Sequence, residues 1–198
     1  MTKDEQLLQI KEEILNLTQS PLYKYRAENN YWPVIGEGNH DAVMVFIGEA
    51  PGENEAKTGR PFCGAAGRVL DELLAGIELK RGDVYVTNVV KDRPPLNRDP
   101  FPEEIDLYGK FLLRQLEIIR PKVIVTLGRH SMNFIFDHLL VDGHGQGISK
   151  CHGQIFTAAL ESGPVKIIPM YHPAAALYQG SLKKVMMEDF MALSDLAS

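Results

Sequence analysis

The chain is poor in the residues that make covalent or metal cross-links: among 198 residues only Cys63 and Cys151 are cysteine, and they are not in C-x-x-C spacing. Two thiols cannot build a disulfide framework or a four-cysteine zinc or iron-sulfur site. Long apolar runs are also missing, since no window approaches the roughly 18 residues of a membrane-spanning helix. The acidic stretch from Met1 to Glu13 has neither the basic flank nor the apolar centre of a secretory leader, so the expected location is the cytoplasm and no membrane is expected as a partner. Internal repeats, low-complexity tracts and linkers are lacking. What remains, 44% hydrophobic and 24% charged residues, is the composition of an ordinary globular protein, and the length suits one domain over residues 1–198.

A net positive charge is lacking as well, the formal value being -5, which argues at first sight against a polyanionic partner. The distribution changes that reading. Residues 57–98 hold eight Lys or Arg against five Asp or Glu, whereas residues 1–56 hold four against ten. A basic middle third can meet phosphates, with few contacts and a shallow salt dependence.

Apolar spacing predicts an amphipathic helix over 3–17, ended by Pro21, and a buried strand over 43–47 (VMVFI) that runs into the loop Gly48-Glu49-Ala50-Pro51-Gly52. A helix over 65–74 and a second strand over 84–90 follow. Pro102 with Glu103 and Glu104 starts a helix that continues to Ile119, because proline suits the first turn and carboxylates suit the positive end of the dipole. Further strands are predicted over 123–127 and 165–169, and further helices over 131–140 and 181–196. Strand and helix alternate, which implies an α/β fold with a parallel sheet between helices and ligands beyond the carboxyl ends of the strands. Three such ends carry chemistry: Gly48 to Gly52, Asn88 to Arg98, and Tyr171 to Ala175.

The stretch GEAPGENEAKTGRPFCG (48–64) places Glu49, Glu53 and Glu55 in a glycine-rich loop. A phosphate-binding loop is disfavoured, since that motif needs glycine where Pro51 and Ala56 stand. Asn88 ends an apolar strand, and its amide either satisfies nearby backbone or faces a ligand with both a donor and an acceptor edge. Phe62 is either a core plug or a stacking platform. His172 follows the fourth strand, where a satisfied polar group and a catalyst are both reasonable. Lys91, Arg93 and Arg98 concentrate cations in a proline-rich loop, fit for phosphates but not for reading sequence. His138, His144, Cys151 and His152 match no metal-ligand spacing, so no metal is expected.

Taken together, GEAPG with TGRPFCGAAGRVLDELL, TNVVKDRPPLNRDPFPEE, VTLGRHS and HPAAAL resemble, in order along almost the whole chain, the uracil-DNA glycosylase superfamily and above all its iron-sulfur branch, family 4. The resemblance implies a three-layer sandwich with a four-stranded parallel sheet, and hydrolysis of the bond joining uracil, or another deaminated base, to deoxyribose in DNA, leaving an abasic site. It implies that Phe62 stacks on the flipped base, that Asn88 hydrogen-bonds uracil and rejects cytosine, and that His172 stabilises the departing anion. Gly48 and Ala50 would line the base site. Glu49 and Glu55 would orient water and balance positive charge on the sugar, while Lys57, Arg60, Lys91, Arg93 and Arg98 would meet the DNA backbone. No histidine lies between Lys91 and Arg98, which separates the chain from the superfamily branch that traps its product covalently.

One departure is systematic. The four cysteines of the iron-sulfur branch are replaced by Leu17, Ser20, Asp92 and Tyr108. No cofactor is therefore expected, and the opening helix and the Lys91 loop would be joined by packing of Leu17 and Tyr108 and by pairing of Asp92 with a cation. The chain is expected to be a monomer, with no protein partner indicated. The competing readings are excision of hypoxanthine or xanthine, hydrolysis of free nucleosides, and a non-catalytic module that binds DNA or abasic sites.

Overall fold

A computed structural model describes residues 1–142 and 145–196, so His144 lies outside the described residues. Its centre is a six-stranded sheet of β1 (Glu37–Gly38), β2 (Met44–Gly48), β3 (Tyr85–Asn88), β4 (Val123–Leu127), β5 (Phe156–Leu160) and β6 (Gly163–Met170), in the order β1-β3-β2-β4-β6-β5. The four inner strands are parallel, as the sequence predicts. The two edges, β1 and β5, pair antiparallel and enlarge the expected four-stranded sheet. Every residue of β2, β3 and β4 is buried, the pattern of strands covered on both faces.

Around the sheet lie α1 (Lys3–Leu15), α2 (Tyr23–Glu28), α3 (Glu53–Thr58), α4 (Ala65–Ala75), α5 (Pro102–Ile119), α6 (Arg129–His138), α7 (Ile148–Cys151), α8 (Ala175–Tyr178) and α9 (Gly180–Met191). Alternation along β2 sends Val45 and Ile47 into a core with Ile10 and Ile14 of α1, Leu112 and Leu116 of α5 and Ile135 of α6. Met44 and Phe46 face the second core, shared with Leu70 and Leu73 of α4 and Met186 and Phe190 of α9. These are the two helical layers of the sandwich.

Helix starts follow local chemistry. Thr2 Oγ1 accepts from the Glu5 N–H at 3.2 Å while Glu5 Oε2 accepts from the Thr2 N–H at 2.8 Å, a reciprocal cap that fixes α1. At α5, Pro102 opens the helix and the Glu104 carboxylate accepts from the Phe101 N–H at 2.8 Å. Arg120 ends it in the left-handed region, φ 58°, ahead of Pro121.

The positions that hold cysteine in the iron-sulfur branch do meet in space. Tyr108 Oη donates to Asp92 Oδ2 at 2.6 Å and lies 2.7 Å from Ser20 Oγ; Asp92 is paired with Arg26 at 3.1 Å; and Arg26 also donates to the carbonyls of Ile14 and Leu15. Leu17 and Tyr108 are buried in the first core. Asp92, Tyr108, Ser20 and Leu17 offer no thiolate, and Cys63 and Cys151 lie elsewhere, one exposed and one buried, so the residues do not fit a cluster. A hydrogen-bonded clasp between α1, α2, α5 and the Asp92 segment stands there instead, with the packing and the Asp92 pairing expected from the sequence.

Candidate active site

The inner strands end side by side: Gly48 pairs with Asn88, and Leu127 with Met170. The segments leaving β2, β3 and β6 meet at an open cleft of about 540 Å³, lined among others by Glu49, Glu55, Phe62, Asn88, Arg98 and His172. Its position is the one expected for a ligand site of a parallel sheet.

Close approach at the cleft floor depends on glycine. A Cβ on Gly48 would lie 2.3 Å from Asn88 Oδ1 and 2.7 Å from the Phe62 ring. Phe62 holds a left-handed φ of 49° and stacks on the His172 imidazole, ring centroids 5.6 Å apart and planes at 30°. Asn88 is 2% exposed, and among the described residues no hydrogen bond engages its carboxamide, which leaves donor and acceptor free for a ligand.

His172 Nδ1 accepts from the Ala174 N–H at 3.2 Å, so in the neutral ring the proton is on Nε2. Burial pushes the imidazole pKa down to about 4, which keeps it neutral near pH 7 and makes Nε2 a hydrogen-bond donor.

The two glutamates divide. Glu55 Oε1 accepts from the Gly64 N–H at 3.0 Å, tying α3 to the turn that carries Phe62. Glu49 is half-buried and its pKa is raised, first by burial; His130 and Arg129 oppose the rise, and Asp99 adds to it. His130 Nε2 lies 3.2 Å from Asp99 and 3.8 Å from Glu49. Neither His130 nor Asp99 is singled out by the sequence reading, although the strand-end rule applied to β4 points to the segment after Gly128.

The predicted phosphate contacts separate sharply. Lys57 and Arg60 are exposed but paired, with Glu53 at 2.6 Å and Glu37 at 2.8 Å. Arg98 is partly covered, bidentate on Glu104 and stacked on Phe101 with Cζ 3.7 Å from the ring centre. Arg93 and Lys91 differ from the other three in being covered by the protein. Arg93 is buried and donates to Tyr31 Oη and Asn97 Oδ1, both at 2.7 Å. Lys91 is fully buried, its ammonium held by acceptors of the protein itself.

Among the described residues, Glu49, Asp99 and His130 also place ligand atoms within 4.8 Å of one another. Arg129 donates to Asp99 at 2.8 Å in the same cluster, a contact that a cation would have to displace.

Comparison with known proteins agrees with this geometry. The chain is 47% identical over 192 residues to a type-4 uracil-DNA glycosylase of Archaeoglobus fulgidus, covering 97% of this chain and 94% of the relative. It is 44% identical to a type-4 enzyme of Thermotoga maritima, with 95% and 93% covered, and 32% identical to a type-5 uracil-DNA glycosylase of Pyrobaculum aerophilum, with 79% and 73% covered. The profile of the uracil DNA glycosylase superfamily matches residues 35–193, and with the motifs of that family gathered at one sheet edge, the chain belongs to the uracil-DNA glycosylase superfamily.

Proposed function

We propose that this chain hydrolyses the N-glycosidic bond of uracil in DNA, and that it does so with Asn88, His172 and Glu49 acting directly on the substrate. Water adds to the anomeric carbon, the glycosidic bond breaks, and uracil leaves as an anion that is then protonated. The transition state carries positive charge on the sugar and negative charge on the base, and groups placed beforehand against each charge lower the barrier. The Nε2–H of neutral His172 donates to the uracil oxygen where charge develops. Glu49 orients water and faces the sugar. Asn88 matches the donor and acceptor edge of uracil, which cytosine inverts at its exocyclic amine. Phe62 offers a face to the flipped base, which repays part of the few kcal/mol needed to unstack it. Glu55 serves as support for the Phe62 turn. Lys57 and Arg60 exchange Glu53 and Glu37 for DNA phosphates.

The observation that carries this reading is the pairing of a free, buried Asn88 carboxamide with a neutral, Nε2-protonated His172 in one cleft. Among the described residues no helix is long and apolar enough to cross a membrane, and the reading includes a single domain acting as a monomer in the cytoplasm.

The test is incubation with end-labelled oligonucleotides carrying one uracil, single-stranded or opposite G or A, divided between alkali cleavage and a denaturing protein gel. Alkali-labile product without a shifted protein band is expected. No cleavage of uracil, with cleavage of hypoxanthine or xanthine substrates, overturns the base assignment; binding without any cleavage favours the non-catalytic module.

A further inference from the structure

Among the described residues Lys91 is the fully buried cation that no carboxylate pairs. Its Nζ donates to Gln115 Oε1 at 2.6 Å, Thr87 Oγ1 at 2.7 Å and the Asn88 carbonyl at 2.7 Å, with the Ile35 carbonyl at 3.3 Å. Three short acceptors match the three protons of an ammonium.

The surroundings offer no hydrogen to a neutral amine. The Thr87 hydroxyl donates to the Ile35 carbonyl at 2.7 Å. The Gln115 amide nitrogen donates to the same carbonyl at 3.0 Å and to Tyr85 Oη at 3.1 Å, which fixes its oxygen towards Lys91. A neutral amine would have to turn its lone pair towards an oxygen. Burial by itself drives the lysine pKa well down, but the acceptor shell opposes that, and the geometry favours the charged form.

We propose that Lys91 is a positioning residue that holds Asn88 by its carbonyl and supplies, from behind the strand end, a fixed positive charge for the base that leaves as an anion. The proposal rests on the reading of Asn88 as the uracil-binding amide. In a water-poor interior an unpaired ammonium acts over a longer range than at the surface, and its charge needs no reorganisation during the reaction.

Two variants act on the charge from different sides. Gln115→Glu keeps an oxygen on Nζ and sets a negative charge against the ammonium, at the cost of the amide's bond to the Ile35 carbonyl; Lys91→Met removes the ammonium. Single-turnover rates are measured on single-stranded DNA carrying uracil or 5-fluorouracil, whose fluorine makes the departing anion more stable. Both variants are expected to lose roughly ten- to a hundredfold on uracil, and several times less on 5-fluorouracil. Equal losses on the two substrates, or no loss, overturn the proposal. If Lys91→Met does not fold, Gln115→Glu alone decides. Asn88→Ala is run beside them: near-normal rates there overturn the underlying site assignment, whereas a slow Asn88→Ala with unaffected Gln115→Glu overturns the role of Lys91 alone.

Discussion

Gly48 and Asn88 form one rung of the sheet, and the space above Gly48 that a methyl group would take is filled by the Asn88 amide oxygen and the Phe62 ring. Gly48→Ala is therefore expected to push both out of register while the strands stay paired. The expected outcome is a loss of about a hundredfold or more in kcat/KM on uracil DNA with a near-native circular dichroism spectrum. Rates within a fewfold of the parent protein would show that the cleft floor adapts.

His172→Ala and Asn88→Ala are each expected to lose on the order of a hundredfold or more in rate, because in the proposed mechanism each removes a hydrogen bond to the departing base. Single-turnover cleavage measures this, and near-normal rates in both would dismiss the assignment.

His172 also makes stability depend on pH. Its folded pKa of about 4 lies below the ordinary 6.5, so between those values the unfolded chain binds a proton that the folded chain refuses. Stability is complete above about pH 6.5 and falls as pH drops towards 4, by up to about 3 kcal/mol at 1.36 kcal/mol per unit. Urea midpoints at pH 7.5 and 5, compared with His172→Gln, check this: the variant is expected to lose less on acidification.

For Glu49, the raised pKa is expected to move the acid limb of the rate profile upwards from the ordinary carboxylate range, since the proposed mechanism uses the ionised form. Asp99→Asn removes a negative neighbour and moves that limb to lower pH, whereas His130→Ala moves it to higher pH. A limb unmoved by either change would mean that Glu49 does not govern the rate.

Asp92→Asn leaves Arg26 buried without its counter-charge and takes an acceptor from Tyr108. A destabilisation of about 3 to 5 kcal/mol is expected in urea unfolding, with a much smaller change in rate per folded molecule.

The four parallel strands are legible in the sequence because burial on both faces writes them as nearly continuous apolar runs such as Val123–Leu127. The edges are not: Glu37–Gly38 is two residues long, and Phe156–Leu160 is only partly covered. Helix α3 hides inside a segment bounded by Gly52 and Gly59 that reads as loop. The strand-end rule and the family resemblance both point to Asn88 and His172, which line the cleft, whereas Lys91 reads as an exposed cation and is buried. It sits between a strand end and two arginines, and its burial is decided by Gln115 and Ile35, 24 and 56 residues away in the chain.

The clasp of Ser20, Tyr108, Asp92 and Arg26 has a consequence for how the protein is made and kept. A joint of side chains closes as the chain folds, with no call on iron delivery or cluster-assembly machinery. Superoxide and peroxide, which strip iron from sulfide cages, find no target at that joint.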